Sequence, residues 1–377
     1  MTTEQHAEKQ QYADFEFNLR ELAGSMGDFG TLFPLAISYI AINGLNPAGL
    51  FIMLGLTNIA LGLIYRLPMP LQPKKVIAGT AIAQGWSPSL VYASGFGLGL
   101  IWLVLVFTGL LRRLLKITPP YIVTAIQLAL GVLLGWQAFE WMLPAPLLGL
   151  VAIAIVLILR ENRYAPASII LMVLGVVIMA WNGDLPDTWD LSLTLPPLTI
   201  PRPGDVWEAM LLAGFAQIPL SITNAVIAPA ALIREYFPEK AVGEDKLMLN
   251  MGFMNIAASF FGGMPMCHGA SGLAGQHYFG ARTGGTPIIE GVIEVAIGLF
   301  LSQSIADVMA AFPMPLIAGM MLLVSVELAK PVIELRGWKL ALAVGTAALC
   351  VVTNMAVGFV VGLAAAHLLK RLINNEQ

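Results

Sequence analysis

Apolar runs separated by short breaks of glycine, proline and charged residues fill the chain from Leu32 to Leu369. Most runs are close to the ~20 residues that an α-helix needs to cross the hydrocarbon core of a bilayer. The pattern predicts an all-α polytopic membrane protein with fourteen crossing segments in two groups of seven. The first group is 17–43, 46–66, 68–85, 87–111, 118–138, 141–159 and 164–181, and the second is 206–233, 246–262, 264–281, 286–303, 312–329, 338–353 and 355–369.

Polar stretches frame and separate the two groups. We expect residues 1–16 to form a cytoplasmic tail, because they are polar and lack the apolar core of a cleavable signal. Residues 17–181 form the first predicted repeat, and residues 206–371 form the second. Between them, the proline- and aspartate-rich residues 182–205 are predicted to be an extracytoplasmic linker.

Basic residues collect at alternate breaks, which predicts the orientation of the chain. With the N-terminus in the cytoplasm, the outer breaks hold one basic residue, Arg202, beside Asp184, Asp187 and Asp190. We therefore expect a multi-pass protein of the cell membrane with both termini in the cytoplasm. An odd number of crossings in each group makes the two groups inverted relative to each other. The cytoplasmic breaks hold Arg112, Arg113, Lys116, Arg160, Arg163, Arg234, Lys240, Lys246, Lys330, Arg336, Lys339, Lys370 and Arg371.

A shift of 197 residues aligns the surroundings of segment three with those of segment ten. The matched residues include asparagine and proline, which are uncommon inside membranes, so apolar composition alone does not explain the agreement. The identical pairs are Gly55 with Gly252, Asn58 with Asn255, Ile59 with Ile256, Ala60 with Ala257, Pro68 with Pro265 and Met69 with Met266.

Composition excludes an ordinary water-soluble domain. The chain is 58% hydrophobic with a mean hydropathy of +0.79, and only 11% of its residues are charged, against roughly 25% in soluble domains. A net charge of -3 gives no reason to expect a nucleic-acid partner. The two cysteines, Cys267 and Cys350, lie in apolar surroundings and imply no disulfide framework. We expect the lipid bilayer as the environment and no cofactor.

Segments three and ten are interrupted near their starts. Prolines at 68, 70 and 73 forbid a continuous helix in the first, and Pro73 suits the first turn of the helix that follows. The stretch 262–272 has the same extended-then-helical character. Non-helical backbone at membrane depth is tolerated only inside protein or beside a cavity. We expect two short extended pieces that pack together near the midplane, each leading into a half-helix.

Two half-helices that begin at the midplane would direct their free backbone N–H groups and positive dipole ends at the protein centre. Such ends bind anions, and paired broken segments in two inverted halves mark the binding site of a transporter. Lys74 and Lys75 are about 100° apart on a helix, so at most one is expected to face the site. His268 is either a site residue or a buried core histidine. The polar candidates at the breaks are Gln72, Lys74, Lys75, Cys267 and His268.

Segments one and eight carry further polar groups at matching positions, among them Thr31, Gln217 and Asn224. Asp28, an intramembrane carboxylate, is either a proton- or sodium-coupling group or a counter-ion for Lys75. On segment eleven, the two glutamates one turn apart either line a path or belong to a structural ion pair. These glutamates are Glu290 and Glu294.

The stretch Pro68-Met-Pro-Leu-Gln-Pro-Lys-Lys-Val-Ile-Ala78 resembles the first signature of the molybdate transporters of the sulfate-permease superfamily. The longer stretch from Gly263 to Gln276, continued by Phe279-Gly-Ala-Arg-Thr-Gly284, resembles the second. The stretches around Gly27–Thr31 and Gln217–Leu220 resemble the first and eighth helices of that family. The chain departs from the family at Lys74, where an apolar residue is usual. We also expect no C-terminal regulatory domain of the kind that typical sulfate permeases carry.

The resemblance implies the seven-plus-seven inverted-repeat fold of uracil permease. A core domain of segments 1–4 and 8–11 would carry the site and move against a gate domain of segments 5–7 and 12–14; a homodimer is left open. The implied function is secondary active uptake of a tetrahedral oxyanion, first of all molybdate, held between the two half-helices. Asp28 is the candidate residue for coupling this uptake to protons or sodium. The implied binding residues are Thr31, Gln72, Lys75, Gln217, Asn224, Met266, Cys267, His268, Gly269 and Ala270.

Other functions fit the residues less well. Sulfate or another oxyanion is not separated from molybdate by physical argument, and a passive channel also stays open. Nucleobase–cation symporters of this fold use glutamates on helices eight and ten, where this chain has Gln217 and His268. We expect no enzyme activity, because the chain has no HExxH pair and no GxSxG turn. It also lacks a nucleotide-binding loop, so it is not expected to be an ATP-driven pump.

Overall fold

The computed structural model describes residues 13–111, 113, 117–159, 167–186 and 188–375. It is mostly helical, with one pair of short strands in the described part. Several residues on which the predicted orientation rests lie outside the described residues. They are most of the tail (1–12) together with Arg112, Lys116, Arg160, Arg163 and Asp187.

Each predicted segment of the first half contains helical structure. Prolines occupy the first turn of several helices, where their missing N–H costs nothing, and side chains such as that of Asn46 cap others by accepting backbone N–H groups. The elements are α1 (Leu19–Ser25), a 3-10 turn (Met26–Asp28), α2 (Phe29–Ala41), α3 (Pro47–Tyr65), β1 (Leu71–Pro73), α4 (Lys75–Gln84), α5 (Pro88–Thr108), α6 (Pro120–Met142), α7 (Pro146–Leu159) and α8 (Ala167–Asn182).

The second half begins with one long helix, α9 (Pro203–Tyr236), which is widened by π-helical turns at Met210–Gly214 and Ile222–Ile227. A 3-10 turn (Pro238–Lys240) follows it. The later elements are α10 (Glu244–Phe260), β2 (Met266–His268), α11 (Ala270–Phe279), α12 (Gly285–Phe300), α13 (Ser302–Ala311), α14 (Met314–Ala329), a 3-10 turn (Lys330–Glu334), α15 (Gly337–Val352) and α16 (Met355–Asn375).

Within the described ranges, five helices are long and apolar enough to cross a membrane by themselves: α3, α5, α6, α9 and α14 with its 3-10 turn. A sixth span results if α12 and α13 count as one, although their axes differ by 92°. Helix α13 was not predicted as an element of its own. The bend follows Phe300, where Leu301 leaves helical geometry with a φ of -122° and a ψ of 6°.

The two strands pair antiparallel, with Gln72 opposite Cys267 at the centre. Each strand leads into a half-helix, α4 or α11, as the interrupted sequence predicts. The predicted position of Pro73 in the first turn of its half-helix is wrong: Pro73 is the last residue of β1, and α4 begins at Lys75. The chain stays extended through Lys74 because its backbone N–H donates to the carbonyl of Pro265 at 2.9 Å.

Helices α3 and α12 pack closely through glycines. A Cβ atom on Gly55 would lie 2.5 Å from the carbonyl oxygen of Gly291, and a Cβ on Gly291 would lie 2.4 Å from that of Gly55. Gly62 and Gly284 make a second close approach further along the pair. These glycines therefore set the distance between the two backbones.

The first described residues form a clasp on one end of the molecule, which we name the N-terminal clasp (residues 13–18). Asp14 pairs with Arg66 at 2.8 Å and with Lys240 at 3.0 Å, and its carbonyl accepts the N–H of Gly284 at 3.0 Å. The hydrogen bond from Lys240, with Arg66 beside it, lowers the pKa of the Asp14 carboxyl. The clasp thus joins the tail to three breaks that are predicted to be cytoplasmic.

The central linker lies along the opposite ends of two helices. The N–H of Thr194 donates to Leu299 and that of Thr199 to Phe260, each at 2.8 Å, while the N–H of Asp190 donates to Ser304 Oγ at 2.9 Å. The linker therefore covers the C-terminal ends of α10 and α12.

Candidate functional site

A cavity of about 370 Å³ lies where the two half-helices begin. Its walls come from α2, the strand pair, both half-helices and α9 on one side, and from α6 and α14 on the other. The lining residues are Gly30, Thr31, Gln72, Lys75, Gln127, Gln217, Leu220, Ser221, Asn224, Ala225, Cys267, His268, Gly269, Ala270, Ser271, Leu323, Val324, Glu327 and Leu328.

Lys75 is the first residue of α4 and lines the cavity. Its ammonium forms no ion pair with another described residue, so its charge is available to the cavity. Its neighbour Lys74 is fully buried and does not line the cavity; its Nζ lies 5.4 Å from the centre of the Trp102 ring. As predicted, only one of the two lysines is presented to the site, although Lys74 belongs to the extended backbone before α4 and not to the helix.

The two half-helices differ at their N-termini. Gln217 Oε1 accepts the backbone N–H groups of Val76 and Ile77 at 2.8 and 3.4 Å, so α9 caps the first turn of α4. Helix α11 has no side-chain cap, and its leading residues Gly269 and Ala270 line the cavity. The open N-terminus belongs to α11, whereas α4 supplies the lysine.

The strand pair brings Gln72 and Cys267 to the cavity from opposite halves of the chain. His268 also lines it, and neither of its ring nitrogens has a hydrogen-bond partner among the described residues. The ring of Tyr65 meets that of His268 edge-on, with centroids 6.0 Å apart. Its place in the cavity lining keeps His268 among the candidate site residues.

Met266 does not line the cavity. It is fully buried, and Asn255 binds both its backbone N–H and its carbonyl at 2.8 Å. Its predicted place in the site differs from the geometry: these hydrogen bonds hold Met266 against α10, whereas the next two residues, Cys267 and His268, line the cavity. The other nine predicted binding residues all line the cavity.

Asp28 lies behind the cavity lining. Its Oδ1 accepts a hydrogen bond from Gln72 Nε2, and it forms no ion pair with Lys75 in the described part of the chain. Its other oxygen, Oδ2, is buried without a partner. Both the counter-ion role and the coupling role of Asp28 therefore stay predictions.

Glu290 and Glu294 are buried on α12 and bind amides. Asn58 Nδ2 donates to Glu294 Oε2 at 2.8 Å, and Gln276 Nε2 donates to Glu290 Oε2 at 3.4 Å. The expected alternative of a structural ion pair is wrong for these residues, since no described basic side chain pairs with either glutamate. Neither glutamate lines the cavity.

Part of the lining was not predicted from the sequence. Ser221 and Ser271 lie one turn from Gln217 and next to Ala270, so helical spacing from the predicted residues could have found them. In the wall from α6 and α14, Gln127 and Glu327 are polar residues inside predicted segments and could have been found, whereas its leucines and valine carry no sequence signal. This wall consists of Gln127, Leu323, Val324, Glu327 and Leu328.

The fold resembles solved anion transporters. The transmembrane domain of a cyanobacterial bicarbonate transporter, BicA, superposes with a TM-score of 0.69 at 15% sequence identity, covering 91% of this chain and 97% of that one. SLC26A9 gives a TM-score of 0.70 at 13% identity over 95% of this chain and 66% of that one. A structure of the murine anion transporter SLC26A9 in the inward-facing state superposes on this chain with a TM-score of 0.69. At these identities the likeness shows the fold alone, and the expected link to sulfate permeases rests on that fold.

Sequence relatives are more informative. Molybdate transporters 1 and 2 of Arabidopsis thaliana are each 29% identical to the chain, covering 92% and 82% of it and 87% and 78% of their own lengths. Molybdate transporter 1 of Chlamydomonas reinhardtii is 27% identical over 91% of this chain and 90% of its own. As expected, these relatives are transporters and not enzymes.

The family model described as "Molybdate transporter of MFS superfamily" matches residues 20–134 and 209–328. The two stretches exceed half of the 377 residues. They include both strands, both half-helices and most of the residues that line the cavity. The chain is a multi-pass membrane protein that belongs to this molybdate transporter family.

Proposed function

We propose that the chain is a secondary active transporter that takes up a tetrahedral oxyanion, molybdate first of all, by alternating access. The observation that carries this proposal is the cavity in which the Lys75 ammonium and the open N-terminus of α11 meet. A dianion leaving water needs compensating charge in a low-dielectric site. One lysine supplies a full charge, and a helix N-terminus adds roughly half a charge. The names of the sequence relatives support molybdate as the anion.

The binding residues in this proposal are the nine predicted ones that line the cavity. Thr31, Gln72 and Asn224 offer side-chain donors, and Gly269 and Ala270 offer backbone N–H groups. A Cβ on Gly269 would lie 2.2 Å from Gln72 Oε1, so the glycine lets the Gln72 amide pack directly against the start of α11. Gln217 supports the site from behind by capping α4. Cys267 and His268 complete the lining.

The same proposal includes the seven-plus-seven inverted repeat. Helices α3 and α10 begin 197 residues apart (244 minus 47), as do α5 and α12 (285 minus 88). The half-helices begin 195 residues apart (270 minus 75), because α10, with 17 residues, is two residues shorter than α3, with 19. These bounds support matched halves that meet at the strand pair.

The core and gate domains are also proposed. The cavity lies between elements of segments 1, 3, 8 and 10 and elements of segments 5 and 12. Moving the second group against the first would expose the anion to alternate sides. In the proposed orientation the N-terminal clasp faces the cytoplasm and the central linker faces the opposite side of the cell membrane.

The test is uptake of radiolabelled molybdate into proteoliposomes containing the purified chain. We expect accumulation above the equilibrium level under an imposed proton or sodium gradient, with competition by tungstate or sulfate and none by uracil. Uptake that only equalises the two sides under every gradient would identify a channel. Competition by uracil alone would identify a nucleobase carrier and overturn the proposal.

A further inference from the structure

A pair of acidic residues on α12 lies away from the anion cavity and is not used by the proposed mechanism. Glu290 and Glu294 are 5% and 7% exposed and sit one turn apart on the same face. Burying two carboxylates this close together without a cation is prohibitively costly in a membrane protein. The pair therefore requires a neutralising partner.

The surrounding elements do not supply one. Leu19–Ser25 (α1) carries the exposed Arg20 and also Glu21, whose carboxylate accepts the hydroxyl of Thr286 and the backbone N–H groups of Arg282 and Thr283. The charged and titratable groups on the other neighbouring elements are Asp28 on the 3-10 turn, Tyr65 on α3, His277 and Tyr278 on α11, and Asp307 on α13. Among the described residues, no basic side chain forms an ion pair with Glu290 or Glu294.

Two buried amide oxygens beside the pair are independent signs of a missing donor. Asn58 and Gln276 each donate an N–H to one glutamate, and each leaves its own carbonyl oxygen buried without a hydrogen bond. Both side chains are at most 1% exposed. A carboxyl O–H on the glutamates would supply the hydrogen that these oxygens lack.

Asn58 makes different hydrogen bonds from the asparagine at the matching position of the second half. Its counterpart Asn255 uses both ends of its amide to hold Met266, whereas Asn58 turns to Glu294. At the same offset of 197 residues, Glu290 and Glu294 correspond to Ala93 and Gly97 of the first half. The acidic pair thus breaks the symmetry of the two halves at one place.

We propose that Glu290 and Glu294 hold an exchangeable proton and form the site of the coupling proton. The coupling role rests on the proposed function, whereas the presence of the proton does not. Gln276 links the pair to the anion, because it lies on α11, the half-helix whose N-terminus lines the cavity. Gln276 is six residues from Ala270, or roughly 9 Å along the helix. Binding or loss of the proton changes the hydrogen bonding of Gln276 and therefore the position of the half-helix that holds the anion.

Infrared spectroscopy of the purified full-length chain in lipid nanodiscs tests the proton directly. We expect a protonated-carboxyl C=O band at neutral pH that shifts in heavy water and is lost in Glu290→Gln or in Glu294→Gln. The matched control Glu235→Gln removes an exposed glutamate and should keep the band, while Asp28→Asn and Glu21→Gln separate any signal of the other two buried acids among the described residues. If neither variant loses a protonated-carboxyl band, the pair is ionised and the proposal is wrong.

Transport provides the second test. In proteoliposomes, Glu290→Gln and Glu294→Gln should each reduce the molybdate accumulation driven by a proton gradient at least tenfold. Molybdate exchange at equal pH should continue, which shows that the variants are folded. Full accumulation in both variants, or accumulation driven by sodium and indifferent to the proton gradient, would overturn the coupling role. If the wild-type chain does not carry molybdate at all, the proposed function fails, and the infrared result still decides whether the pair holds a proton.

Discussion

The two adjacent lysines at the start of α4 give the sharpest test at the scale of single residues. We expect Lys75→Ala to leave the bound dianion underpaired, at a cost of about 3–5 kcal/mol by analogy with a broken buried ion pair. That corresponds to more than a hundredfold loss of affinity. Lys74→Met should retain binding, because Lys74 packs against Trp102 outside the cavity. Calorimetry with molybdate on both variants measures this, and the reverse result would mean that the register of the half-helix is wrong.

Asp28 is accessible to a similar comparison. If it couples ion flow, Asp28→Asn should abolish gradient-driven uptake while molybdate binding survives. The asparagine still has an oxygen that can accept the hydrogen bond from Gln72, so the strand pair keeps its geometry. Uptake and calorimetric binding are measured on the same preparation. Loss of both together would instead indicate that Asp28 only positions Gln72.

At this scale the sequence was informative wherever polar residues interrupt a membrane segment. Gln72, Lys75 and Cys267 were found because charge and proline are conspicuous in an apolar chain. The place of Met266 depends on the two hydrogen bonds that Asn255 makes with its backbone, and a sequence pattern does not show such bonds. Leu323 and Val324 were not found, because apolar residues in an apolar helix show no preference for any one neighbour.

Among the helix pairs, the contact between α3 and α12 makes a prediction about stability. Gly55→Ala would place a methyl group 2.5 Å from the carbonyl oxygen of Gly291, and overpacking of this kind costs about 1–3 kcal/mol. We expect a lower midpoint of thermal unfolding in detergent. The control is Gly345→Ala on α15, where no atom lies within 4 Å of the added group and alanine favours the helix. Equal midpoints for the two variants would contradict the close approach.

The N-terminal clasp leads to a prediction about pH. The pKa of Asp14 is lowered in the folded protein, so its contribution is complete above the usual value of about 3.9 and is lost as the pH falls through the lowered pKa. The clasp should therefore remain closed from neutral pH down to about pH 4. Asp14→Asn should open it at neutral pH, seen as faster hydrogen exchange at residues 13–18. Glu239→Gln, an exposed change nearby, should leave the exchange rate unaltered.

Element boundaries followed from local signals with one instructive exception. Prolines and capping side chains marked most helix starts, but α4 begins two residues after Pro73. The hydrogen bond from the Lys74 N–H to the Pro265 carbonyl keeps the backbone extended as far as Lys74, and its acceptor lies in the other half of the chain. A partner almost two hundred residues away leaves no trace in the local pattern.

For the whole molecule, orientation is the feature that can be tested most directly. Ser192 lies on the central linker and Glu239 lies near the N-terminal clasp, and both are exposed. A cysteine at Ser192 should react in intact cells with an impermeant thiol reagent, and a cysteine at Glu239 should react only after permeabilisation. Cys267 and Cys350 are buried, which keeps the background low. Equal labelling of both positions would contradict the proposed orientation.

The sequence predicted the interruption and pairing of segments three and ten, which is the feature that organises the fold. It did so because the bilayer penalises every unsatisfied backbone group, so a break in a helix must have a reason. The 92° bend before α13 was not predicted. The predicted segment eleven ends at residue 303, and residues 304–311 were left as the break before segment twelve, so the helix that they form was missed.

The pairing of β1 with β2 has a consequence for how such a protein could change over time. The strand pair ties the two half-helices into one unit, whereas α6 and α14 form a separate wall. In the proposed mechanism, the first unit determines which anion is held and the second determines how fast the cavity opens. Substitutions at Leu323, Val324 or Leu328 could then adjust turnover while the preference among anions stays the same. Choice of substrate and speed of delivery would be open to separate selection within a single chain.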